Sequence, residues 1–198
     1  MPASRLQRWL RVEYEAVARA ASHGRELSGV YVLPAADSRA WHGLLCLHAS
    51  FYKGALFRFR VEFPAAYPDE PPSVRFAPRV HHPLVGPDGD LQLGDGLAPW
   101  ERERLCEHGA APAVALLRYV KRIFFQNELL AEVDMERVRA SVAQSQAAIY
   151  DDAEAGSRLR LRLMEPQAAS QLLHDLTVPR PPQGRQRNVS PGGGRAAD

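Results

Sequence analysis

Residues 67–100 read YPDEPPSVRFAPRVHHPLVGPDGDLQLGDGLAPW, and this stretch constrains the fold more than any other. Pro68, Pro71, Pro72, Pro78, Pro83 and Pro87 each lack a backbone donor and fix φ, and each biases the residue before it to extended geometry. No helix survives such spacing. Its parts are a short apolar strand at 73–76, His82-Pro83, a turn at Asp88-Gly89, an extended Leu91-Gln92-Leu93 and then Trp100. The middle of the chain is therefore a long loop, and long loops within compact domains are where function concentrates.

The segments before this loop carry clear periods. Residues 5–22 form an amphipathic helix: Leu6, Trp9, Leu10, Val17 and Ala21 recur near helical spacing, and Glu13, Glu15 and Arg19 fall among the polar positions. Ser4 suits an N-cap and Gly24 a C-terminal αL position. Trp9 on that apolar stripe is assigned to the core. Strand-like runs follow at 29–33, 41–49, 56–63 and 73–76, bounded by turn residues. In the third, Phe57, Phe59, Val61 and Phe63 alternate with Arg58, Arg60 and Glu62, the pattern of a half-buried antiparallel strand. Short links between the runs favour an antiparallel meander. His42 and His48 fall on the solvent parity of the second run. Cys46 shares it, either partly exposed or covered by the N-terminal helix.

After the loop, a second helix is expected over 111–126. Val114, Leu116, Leu117, Val120, Ile123 and Phe124 spread beyond one narrow stripe, which makes it the most buried helix, with Arg118, Lys121 and Arg122 on its polar side. Residues 127–130 read as a loop. Asp134 caps a further helix from Met135 that runs towards Met164. Its end, RLRLRLM at 158–164, fits either a strand with Leu and Arg on opposite sides or a basic helix, solvated or docked to a partner. The expected organisation is a domain over 1–164 with a helical C-terminal extension, then a disordered tail over 165–198, of which 177–198 is rich in Pro, Gly and Arg.

Composition narrows the function. With 198 residues, 45% hydrophobic and 24% charged, the chain is of ordinary globular type. No apolar run nears the ~18–20 residues of a membrane span, and the charged N-terminus lacks the apolar core of a secretory signal. A net charge of +2 does not argue for nucleic-acid binding. Two cysteines, Cys46 and Cys106, make no disulfide framework. His81-His82 is not at ligand spacing, so no metal and no cofactor are expected. Cytosolic residence is the default. Lys53 and Lys121 are the only lysines.

The order Tyr67-Pro68, Pro71-Pro72, Val74, Phe76, His82-Pro83, Gly89, Leu91, Leu93 and Trp100 resembles the ubiquitin-conjugating (UBC) fold, over roughly residues 5–150. The resemblance implies an α+β architecture: an N-terminal helix, a four-stranded antiparallel meander, the active-site loop and C-terminal helices. In active members the loop runs His-Pro-Asn, a Gly turn, then a nucleophilic Cys between two apolar residues. Here the Asn position is Leu84 and the Cys position is Gln92, while His82, Pro83 and Trp100 are retained. Transthiolation needs a thiolate, and a carboxamide is not one. Losing an oxyanion donor costs about 2.7–4 kcal/mol of transition-state stabilisation, and Leu84 cannot donate. The resemblance therefore implies a pseudoenzyme with no catalytic residues. A nucleophile shifted to Cys106 is the contrary reading. It is disfavoured because Cys106 follows Trp100 and no His-Pro-Asn element precedes it.

The phrases Gly29-Val30-Tyr31-Val32-x-Pro34, His82-Pro83-Leu84-Val85-x-Pro87, Trp100-Glu101-Arg102 and Arg122-Ile123-Phe124-Phe125 are similar to the Fused Toes / Akt-interacting protein family (FTS/AKTIP). That resemblance implies a non-catalytic adaptor that joins Hook and FHIP proteins and links vesicle cargo to dynein, hence a cytoplasmic protein associated with vesicles or microtubules through its partners. Candidate binding residues are Trp100, Arg102, Arg104, Arg158, Arg160 and Arg162. The alternative is a variant that binds ubiquitin or pairs with an active conjugating enzyme.

Overall fold

Alternation in the third strand sets the architecture. Phe57, Phe59 and Val61 are all buried, and the intervening Arg58 and Arg60 are half-exposed. A computed structural model of the protein describes residues 5–23, 26–35, 39–94, 97, 99–101, 105, 111–131 and 133–151. The expectations for Ser4, Gly24, Arg102, Arg104, Cys106, the helix beyond 151 with Arg158, Arg160 and Arg162, and the tail over 165–198 lie outside the described residues.

The chain runs α1 (Arg5–His23), β1 (Val30–Pro34), β2 (Ala40–Cys46), β3 (Leu56–Glu62), β4 (Ser73–Phe76), α2 (Pro112–Arg122), a 3-10 turn (Ile123–Phe125), α3 (Asn127–Leu130) and α4 (Met135–Asp151). The strands form one antiparallel sheet in the order β1-β2-β3-β4, the expected meander. β4 matches its expected bounds because Pro72 and Pro78 close it on both sides. β2 stops short of the expected 49: beyond Cys46 the chain turns, with the Leu47 N–H donating to Ala55 O and the Gly54 N–H to Leu47 O. His48 thus lies past the strand, exposed like His42. Cys46 is half-buried and its thiol is pushed up by burial. In β2, Gly43 sits opposite Phe59, and a Cβ there would come within 2.2 Å of the Phe59 ring. That bare backbone is what lets the ring lie flat on the neighbouring strand.

The core is aromatic. Phe124, from the 3-10 turn, lies 5.0 Å from Tyr52, 5.4 Å from Phe57 and 5.9 Å from Phe76, ring centre to ring centre. This one ring carries the turn after α2 onto the sheet. α2 is the deeply buried helix expected, but it ends at Arg122, and the last turn tightens to 3-10. Its polar side is not simply solvated. Arg118 pairs with Glu26, the Lys121 ammonium donates to Glu26 O at 3.1 Å, and Arg122 lies over the Tyr119 ring.

Three expectations are corrected. Residues 127–130 form a short helix rather than a loop; four residues are too few for a period to show in sequence. Trp9 is half-buried and lies outside the core cluster, and Ala21 is exposed; α1 buries Leu6, Leu10, Tyr14 and Val17 instead. Glu13, read as a polar surface position, is 1% exposed. Asp134 caps α4 as expected, its Oδ1 accepting the Glu136 N–H at 2.9 Å.

Candidate functional site

The loop after β4 is held to the sheet before it reaches the site. The Phe76 N–H donates to Gly89 O and the Leu91 N–H to Val74 O, both at 2.8 Å, so residues 89–91 run along β4. Gly89 has φ +86°, and a Cβ there would lie 2.3 Å from Phe76 O, so glycine is required at this close approach. A two-pronged pair, Arg75 Nε to Asp90 Oδ1 at 2.6 Å and Nη2 to Oδ2 at 3.1 Å, clasps the outside and holds the Asp90 carboxyl below its usual range. The Gly86 N–H closes the turn onto Asp90 O at 2.9 Å.

His82 holds the inner side of the loop. It is buried 5.1 Å from the Phe124 ring. Its Nδ1 accepts the Leu84 N–H at 3.0 Å, which leaves the proton on Nε2, 3.2 Å from Ile123 O. Burial pushes its pKa down to about 4, so the ring is a neutral strut. The Leu84 carbonyl then accepts the Gln92 N–H at 2.8 Å. Leu84 and Gln92, far apart in the string of motifs, are thus joined directly. Leu84 packs half-buried against the core, and the Gln92 side chain is exposed.

Tyr119 on α2 completes the frame. Its hydroxyl accepts the Gly94 N–H at 2.7 Å and donates to Gln92 O at 3.1 Å. Trp100 is half-buried; its indole N–H donates to Pro68 O at 2.8 Å, and its ring lies 6.4 Å from Tyr67. It closes the far end of the loop against the Tyr67-Pro68 turn. Behind Tyr67 is Glu13, whose Oε2 accepts the Ala113 N–H at 2.9 Å. Ala111 offers α2 no side-chain cap, and a carboxylate from α1 serves instead. Burial raises the Glu13 pKa, and the Ala113 N–H and the Tyr67 hydroxyl partly offset it.

His82 and Trp100 therefore frame the loop, Pro83 is exposed beside His82, and the joined Leu84 and Gln92 carry a half-buried and an exposed side chain at its edge. The frame offers hydrogen-bonding backbone and an exposed carboxamide, with no thiol at Gln92. Among the described residues, no group of His, Cys, Asp and Glu is placed to hold a metal ion, and no helix is long and apolar enough to cross a membrane. Glu13 and Tyr119 were missed from sequence. A phenol on an apolar helix needs a buried partner, which was a usable signal for Tyr119; nothing local pointed to Glu13.

The family model for ubiquitin-conjugating enzyme matches residues 11–103. A protein crossbronx homolog of Culex quinquefasciatus is 29% identical over 153 residues, covering 67% of this chain and 65% of its own. A protein AKTIP homolog of Nematostella vectensis is 33% identical over 105 residues, covering 52% and 33%. The AKT-interacting protein of Rattus norvegicus is 32% identical over 115 residues, covering 57% and 37%. The alignments thus span between 33% and 65% of the length of these relatives. With the helix, meander sheet and loop above, the fold is that of a UBC-like protein, and over these lengths the chain is similar to the crossbronx and AKT-interacting proteins.

Proposed function

We propose that the chain is a catalytically inactive UBC-fold adaptor, a subunit of an FTS–Hook–FHIP-type complex that links vesicle cargo to dynein. The observation that carries this reading is the pairing of Gln92 with Leu84. The Gln92 N–H is bonded to Leu84 O; the Gln92 side chain supplies no thiolate, and the Leu84 side chain, at the position of the family's Asn, supplies no donor. The relatives support binding as the role, since one is named for interacting with another protein. The partners are a Hook-type coiled-coil protein and an FHIP-type protein, met in the cytoplasm. The functional unit is 1–164, and 165–198 is a tail; limited proteolysis leaving a product that ends near Met164 agrees, and a protected tail contradicts it.

The test of the role is reconstitution. Co-expressed with a Hook-type and an FHIP-type protein, the chain is expected to co-elute with both in one complex. Failure to co-elute, together with saturable binding of ubiquitin or of an active conjugating enzyme, would overturn the adaptor reading in favour of a ubiquitin-pathway cofactor.

A further inference from the structure

Between the segment leading into His82 and the helix α4 lies a groove of about 280 Å³, lined by Arg79, His81, Arg137, Ala140, Ser141 and Gln144. The four α4 residues recur at helical spacing and share one face. Ala140 in the middle is small, which keeps the floor open, and Arg137 and Gln144 flank it. Arg79 and His81 form the opposite wall.

The two walls are tied. The His81 N–H donates to the buried Ser141 hydroxyl at 3.2 Å, and the His81 carbonyl accepts the buried Tyr52 hydroxyl at 2.6 Å. Backbone fixed on both sides holds Arg79 and α4 at a constant separation. The lining brings two guanidiniums, an imidazole and a carboxamide, and none of its residues is acidic. Arg137 Nε lies 3.4 Å from the Asp134 carboxylate, in a pair whose side chains are 73% and 52% exposed. So exposed a pair is weak and yields readily to a stronger anion.

We infer that this groove docks a phosphorylated segment of a protein partner, with the phosphomonoester seated between Arg79 and Arg137. A phosphoserine carries close to two charges and three acceptor oxygens at neutral pH. Planar guanidinium forks from two different elements match that geometry, which one carboxylate would leave half-used. Gln144 and the His81 ring lie beside the seat and can donate to flanking peptide carbonyls. A trough between helix and loop accepts an extended chain better than it accepts a flat bilayer. The inference does not depend on whether Gln92 marks a lost active site.

The test titrates the ¹⁵N-labelled full chain with a short glycine-flanked phosphoserine peptide, its unphosphorylated twin, inorganic phosphate and vesicles containing a phosphoinositide. The phosphopeptide is expected to shift the amides of His81, Arg137, Ser141 and Gln144. An Arg79→Gln/Arg137→Gln variant is expected to bind about tenfold more weakly or worse. Ala140→Glu, which places a carboxylate on the floor, is expected to abolish binding. Both variants alter exposed positions, so unchanged melting curves verify their folding. Equal binding of the unphosphorylated peptide, shifts elsewhere on the chain, undiminished binding by the variants, binding of vesicles or inorganic phosphate alone, or no binding would each overturn the proposal.

Discussion

The inner and outer sides of the loop over 82–100 differ in kind. The inner side is made of buried and half-buried groups that answer one another. His82 sits between Leu84 N and Ile123 O, Tyr119 bridges Gly94 and Gln92, and Trp100 reaches Pro68 O. The outer side is Gln92, an exposed side chain carried on a backbone that those groups hold. A change on the inner side leaves a buried polar group without a partner. A change on the outer side leaves every bond of the frame intact. The loop can therefore keep its shape whatever side chain stands at position 92, because the frame and that side chain rest on different atoms.

The largest break on the inner side comes from the sheet beneath it. Phe59→Asp would bury an unpaired carboxylate at a 3%-exposed position. Loss of the cooperative thermal transition is expected, and its retention would contradict the strand register.

His82 comes next. Its folded pKa is depressed from 6.5 to about 4, a difference equivalent to about 3 kcal/mol. In that window the unfolded chain binds the proton and the folded chain does not. The stability is therefore present above pH 6.5 and lost as pH falls towards 4. Urea titrations across this range should show that slope in the wild type and lose it in His82→Phe.

Glu13 has the opposite sign. Glu13→Ala strands the Ala113 N–H and should cost about 1–3 kcal/mol. The folded carboxyl titrates above its usual 4.5 because of burial, so its contribution is complete below that value and fades as pH rises through the folded pKa. The stability of wild type relative to Glu13→Gln, which keeps the acceptor, should therefore decline from acid towards neutral pH. A difference independent of pH would mean that the carboxyl is solvated.

On the outer side the effect should nearly vanish. Gln92→Cys is expected to change unfolding free energy by no more than about 0.5 kcal/mol, and to present a thiol that reacts readily with a maleimide. A large destabilisation would show that the carboxamide is part of the frame after all.

Much of the frame was legible in sequence, for reasons that can be named. The alternation of Phe57, Phe59 and Val61 placed β3, and prolines on both sides placed β4 at Ser73–Phe76. Asp134 was readable as a cap because it acts on its own neighbours. What escaped was long-range. Glu13 caps a helix a hundred residues away, so on α1 it looks like any surface carboxylate. The bridge from Tyr119 to Gln92 spans 27 residues, and the groove between Arg79 and Arg137 exists only because α4 folds back on the loop. Trp9 misled for the converse reason: helical spacing put it on the stripe, but the packing surface of α1 is centred on Leu10, Tyr14 and Val17.

The most direct measurement is thioester charging: the full chain with a ubiquitin-activating enzyme, ATP and ubiquitin on non-reducing gels, beside Cys46→Ser and Cys106→Ser. No reducible adduct in any of the three is the result expected of a loop that carries Leu84 and Gln92 at its edge. An adduct on the wild type that disappears in Cys106→Ser would contradict the account, since it would mean that the nucleophile had moved rather than gone.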